Sequence, residues 1–219
     1  MSTIIGAEAA RWAGLQIDLN QKYRTGHITA DHLEWFNNLS RKRREELSGS
    51  VSLNTSFQLV KTLDIIVPND YVHQTHLATF AEAHRSEFYY FNEGITDENF
   101  SRVTTQLKLG QRLKVDVFQI KQTVTSEDCL AFLKSQQAIL TGAQGVSLVY
   151  EQKREELSKG RWHVSFDEKN ALWKDAAGFH RVPRITAFSD GDFGFHLGSF
   201  EVDWYGIHCL LSFRDEVSS

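Results

Sequence analysis

The residues with the most chemical capacity lie in the last fifty or so positions, Trp162 to Arg214. Ser189-Asp190-Gly191-Asp192 puts two carboxylates on a glycine turn, the hard-oxygen pattern that can hold a divalent cation. A complete EF-hand loop needs further oxygens at fixed offsets. Phe193, Phe195 and Leu197 occupy those places, so the other reading is a hydrogen-bonded hairpin turn. His180, His196 and His208 stand among Glu201 and Asp203 and could supply a general base with an orienting carboxylate. None of Ser165, Ser189, Ser199, Ser212 or Cys209 sits in a nucleophile motif. The same stretch carries Phe193, Phe195, His196, Ser199, Asp203, Trp204, Tyr205 and His208, with glycines at 191, 194, 198 and 206. That is a recognition palette: rigid aromatic area beside adaptable hydrogen-bonding groups. Trp204, Tyr205, Phe193 and Phe195 are expected as apolar anchors. Asp190, Asp192, His196, Ser199, Asp203 and His208 are expected as polar contacts.

Upstream, His73 and His76 are three apart and could share a helix face with metal spacing, with His84 and Glu82 beyond. No His-Glu-x-x-His pattern accompanies them, and no metal or other cofactor is expected.

These groups need elements to hold them. Short runs WHVSF, ALWKD, HRVPRI, FGFHLG and CLLSFR read as strands separated by Asp-, Asn- and Gly-bearing turns. Before them, 57–67 reads as a strand stopped at Pro68, and 86–91 as a second. Thr96 caps an expected short helix to about Thr104, and the alternation across 112–117 makes a half-buried strand. Thr125 with Asp128 forms a capping pair that opens a helix through Ile139, and another runs from about Ala143 to Leu157. Helices and strands are segregated, so the fold class is α+β. The N-terminal residues 1–50 read as a helical arm, with Thr29 capping a helix that buries Leu33, Trp35, Phe36 and Leu39. Ser48-Gly49-Ser50 marks the boundary to a second domain, 51–219.

The net charge of −4 disfavours a nucleic-acid surface, and Arg41 to Arg44 are answered at once by Glu45 and Glu46. There is no run long enough to cross a membrane and no secretory leader, which gives a cytoplasmic expectation. Cys129 and Cys209 lack metal-type spacing and are expected as buried thiols.

Taken together, LWKDAAGFHRVPRI, SDGDFGFHLGSFEVDW and CLLSFR resemble the end of C-type-lectin-like domains. Such domains occur in formylglycine-generating enzymes and in the variable proteins of diversity-generating retroelements. The likeness is greatest to a group of small bacterial proteins. It is carried by Trp173, Asp175 with Gly178, Arg181-Val182-Pro183, the loop from Ser189 to Ser199, Asp203-Trp204, and Leu210 to Arg214. The resemblance implies a stable scaffold that displays diversified residues to a protein ligand. Carried over by position, those are Ser189, Asp190, Asp192, Phe193, Phe195, His196, Ser199, Asp203, Tyr205, Gly206, Ile207 and His208. No reactive cysteine pair matches the oxidases of this fold, so their activity is not implied. Two readings from other classes stand beside the binder: a metal-dependent hydrolase using Asp190, Asp192 and the tail histidines, and a scaffold that docks through the helix at 29–47.

Overall fold

A computed structural model describes residues 56–216, together with Lys22, Thr29 and Ala30. The chain divides into two compact units, Met1–Gly49 and Ser50–Ser219. The helix expected from Thr29 through Leu39 lies outside the described residues apart from Thr29 and Ala30.

The second unit is a mixed α+β body around one seven-stranded sheet. Its strands are β1 (Phe57–Ile66), β2 (Tyr90–Phe91), β3 (Arg112–Ile120), β4 (Arg161–Val164), β5 (Arg181–Ala187), β6 (Phe193–Ser199) and β7 (His208–Asp215). Their order across the sheet is β1-β3-β7-β4-β5-β6-β2. Neighbours are antiparallel except β4 with β7 and β2 with β6. The last strand thus returns to the middle of the sheet, and six of its eight residues are buried.

Among the described residues three α-helices flank the sheet: α1 (His76–His84), α2 (Ser126–Ser135) and α3 (Gly142–Lys153). Residues from α1 and α3 join Leu63, Val115, Ile185, Phe195, Leu211 and Phe213 in one core. On the opposite face α2 closes a second core with Phe118, Val164, Phe166, Val182, Trp204 and Leu210. A strand whose two faces both meet apolar layers reads as a nearly continuous hydrophobic run, as HCLLSF does.

The local signals explain most boundaries. Thr125 Oγ1 accepts from Asp128 N at 3.1 Å while the Asp128 carboxylate accepts from Thr125 N at 3.1 Å, so the expected capping box forms. The helix stops at Ser135 rather than Ile139. Gln137 adopts φ +54°, Ala138 N donates to Leu133 O and Gln137 N to Lys134 O, closing a Schellman turn. Ile139 instead bridges to Phe213.

Three expectations are corrected. Of the strand expected over 86–91 only Tyr90–Phe91 pairs in the sheet, and Arg85–Glu87 forms a 3-10 turn instead. Residues 96–104 form no helix: Asp97 accepts from Leu77 N and Ala78 N to cap α1, and Asn99 donates to Gly94 O. Side chains engaged in that way hold the backbone in a turn. ALWKD is not a strand either and contributes only the Lys174–His180 bridge.

Candidate functional site

The candidate site lies on the second face of the sheet, beside the core that α2 closes. In β6 the alternation sends Phe193, Phe195 and Leu197 toward α1 and α3, where Phe195 meets Phe80 and Phe193 meets Tyr150. Gly194, His196 and Gly198 take the opposite face. His196 is therefore the one side chain of FGFHLG on this face between its two glycines. A Cβ at Gly194 would fall 2.2 Å from His196 Nε2, so the bare glycine gives the imidazole its bed. A Cβ at Gly198 would meet the buried Trp204 ring at 2.8 Å.

Around His196 the sheet register gathers a set of rings and one cation. Arg184 of β5 pairs with His196, and Trp162 of β4 pairs with both Thr186 and His208. The Arg184 guanidinium lies 3.8 Å over the Trp162 ring. The His196 ring is nearly parallel to Trp162 at 6.2 Å, and Tyr90 of β2 stacks on the other side of the imidazole at 4.8 Å. Below them Thr186 and His208 are 1% and 2% exposed. Tyr205, 52% exposed, stands at the rim with its ring against His208. Next to this patch, Tyr89, Phe188, Asp190 and Asp192 line a cleft of about 300 Å³.

The electrostatics of the patch are unusual. Arg184 Nε, Thr186 Oγ1, His196 Nε2 and His208 Nε2 are all buried without a hydrogen-bond partner. Nearly all buried polar groups in folded proteins are paired, so four such atoms on one small area call for an explanation. Burial pulls Arg184 down to about 10 and His208 down to about 4, and lowers His196 as well. His208 Nδ1 meets Tyr205 O at 3.1 Å, which leaves Nε2 as the free edge of the ring. No carboxylate among the described residues pairs with Arg184.

The structure sorts the sequence-predicted residues. His196 and Tyr205 belong to the patch, and Asp190 and Asp192 stand at its rim in a hairpin turn. There Phe188 N donates to Asp192 O, Asp192 N donates to Asp190 Oδ1, and Gly191 has φ +105°. His208 belongs to the patch floor rather than to its surface. Phe195 (0% exposed) and Trp204 (1%) are corrections: neither is a ligand anchor. Trp204 is a core residue whose indole N–H donates to Ser126 Oγ at 2.7 Å. Phe193 is half-buried on the helix side of the sheet, away from the patch. Asp203 is exposed, and Ser199 donates to Glu201 at 2.8 Å. Sequence reasoning passed over Tyr90, Trp162, Arg184 and Thr186. The signal was the period of two in WHV and RVPRITA, which is informative only once the sheet face opposite α1 and α3 is known.

Groups capable of catalysis are arranged otherwise. His180 Nδ1 meets Glu201 at 2.7 Å and Ser199 binds the same carboxylate, so the carboxylate rather than the imidazole stands between the other two. That order cannot activate the serine. His76 Nε2 meets Ser147 Oγ at 2.7 Å, but Ser147 is fully buried and donates to Gln144 O. His73 Nδ1 is engaged by the Tyr71 hydroxyl, and among the described residues no group of three potential metal ligands occurs. Cys129 and Cys209 are buried and unbridged.

Comparison of the chain with family models, with curated proteins and with solved structures finds no match.

Proposed function

We propose that the protein is a ligand-binding module, a C-type-lectin-like scaffold of the retroelement variable-protein kind, acting in the cytoplasm on a protein ligand. The patch of Tyr90, Trp162, Arg184, His196 and Tyr205 is its binding surface. The observation that carries this reading is the convergence of four unpartnered buried polar atoms on one aromatic stack. Hydrogen-bonding capacity left open at a desolvated aromatic surface is what a binding partner completes.

The division of labour among the tail residues supports the scaffold part. Residues that carry the family resemblance hold the body together: Arg181 forks onto Asp175, Trp204 fills a core, and Arg214 pairs with Asp116 at 2.9 Å. Asp190, Asp192, Asp203 and Tyr205 remain exposed. No helix among the described residues is long and apolar enough to cross a membrane.

The test is selection of displayed peptides against purified protein, run in parallel on the W162A and H196A variants. Sequences should be enriched on the native protein and lost on both variants; equal enrichment on all three would refute the surface. For the retroelement part, the coding segment for 189–208 should have a near-copy beside a reverse-transcriptase gene, with differences confined to adenines. A near-copy without that bias would refute it.

A further inference from the structure

We propose that the patch recognises a carboxylate of its partner, an aspartate or glutamate side chain or a chain terminus, held by Arg184 and Thr186 beside the stacked rings of Trp162, His196 and Tyr90. This rests on the binding-surface reading above and adds the chemical group that the surface takes.

Arg184 carries the argument. A guanidinium removed from water is normally matched by a carboxylate or a set of carbonyls, because an uncompensated charge is costly to bury. Arg181 on the same strand obeys this with Asp175, and Arg214 on β7 with Asp116. Arg184 is half-buried, with the π face of Trp162 against it, Tyr205 nearby and no carboxylate partner among the described residues, and its Nε–H is buried without a partner. Nε and one Nη form the edge of the guanidinium that matches two carboxylate oxygens in parallel. Thr186, two residues along the strand and on the same face, leaves its hydroxyl free to donate to the same anion.

The environment selects the anion. His196 and His208 are held toward their neutral forms by burial, so Arg184 is the single fixed cation of the patch. One cation suits a monoanion, whereas phosphate groups are recognised by clusters of basic residues. The protein's net charge of −4 and the nearby Asp190 and Asp192 repel polyanions. The parallel rings of Trp162, His196 and Tyr90 suit a flat group or an adjoining aromatic side chain.

The experiment follows the Arg184 Nε–H signal by NMR, assigned through R184K, during titration with sodium benzoate, benzamide and inorganic phosphate. Benzoate should shift that signal with a Kd of about millimolar order, as one fork and one stacked ring warrant, while benzamide leaves it in place. R184K keeps the charge without the fork and should weaken benzoate about tenfold, read from the Trp162 indole N–H, which lies beside this position and remains in the variant. T186V, which leaves Arg184 intact, should weaken it as well. A peptide with a free C-terminus, its amide, and an acetylated aspartate amide then separate a chain terminus from a side chain.

Phosphate binding more tightly than benzoate would overturn the proposal. So would an Arg184 signal that contacts only a long-lived water and ignores benzoate. Displayed peptides that still bind after their acids are amidated would sink the carboxylate while sparing the binding surface. Benzoate binding with no peptide enriched would sink the protein-binding reading while sparing the carboxylate.

Discussion

Replacing Thr186 with valine separates a group held open for a ligand from one that the fold needs. Thr186 is 1% exposed, and its hydroxyl has no partner. A buried hydroxyl without a partner costs about 1–3 kcal/mol relative to its hydrated state in the unfolded chain. Valine has nearly the same shape, favours a strand at least as well, and puts a methyl group where the oxygen was. The expected result is therefore a gain of about 1–2 kcal/mol. For a body of this size that raises Tm by roughly 2–8 °C, since each kcal/mol is worth about 2–4 °C. Thermal unfolding followed by circular dichroism at neutral pH measures it, with T186S as the control that keeps the hydroxyl. T186V should melt above both the native protein and T186S. A T186V protein melting below the native one would refute the reasoning, because it would mean that the hydroxyl is satisfied in the free protein.

Gln137→Gly relieves a left-handed residue at the end of α2, where a side chain costs about 1 kcal/mol, and should raise Tm by a few degrees. Trp204→Ala removes a fully buried ring and its hydrogen bond to Ser126; chemical denaturation should show a loss of about 3–5 kcal/mol. Burial lowers His76, His163 and His208 to about 4, so each stays neutral in the folded protein while its unfolded counterpart takes up a proton near 6.5. Stability is thus complete above 6.5 and falls as pH drops toward 4, by about 1.4 kcal/mol per unit for each histidine. Asp167, raised to about 6 by burial, works the other way: the folded protein binds that proton first and gains stability as pH falls from 6 toward 3.8. Three groups outweigh one, so Tm measured across this window should fall on acidification; a flat or rising profile would contradict the neutral buried histidines.

Features fixed by close neighbours along the chain are legible in the order of residues alone. The Thr125–Asp128 box and the Ser189–Asp192 turn depend on atoms within four residues of one another. The α+β class follows from the segregation of patterns, and β1, β3, β5, β6 and β7 fall close to their expected runs. The covered side of each tail strand is not legible in that way. FGFHLGS alternates plainly, but only the placement of α1 and α3 under Phe193 and Phe195 decides that His196 is the outward group. Aromatic richness suggests that Phe195 and Trp204 face a ligand, yet the sheet is packed on both sides and uses both rings as filling. Arg184 reads in sequence as a neighbour of the Arg-Val-Pro landmark. Its isolation from any acid is a property of the assembled sheet.

The pair of glycines around His196 has an evolutionary consequence. Position 196 lies over the bare backbone of Gly194, while Gly198 makes room for the Trp204 ring. Exchanging that one residue would rewrite the chemistry of the surface and leave the interior as it was, so a lineage carrying this strand could vary its specificity at little risk to its folding.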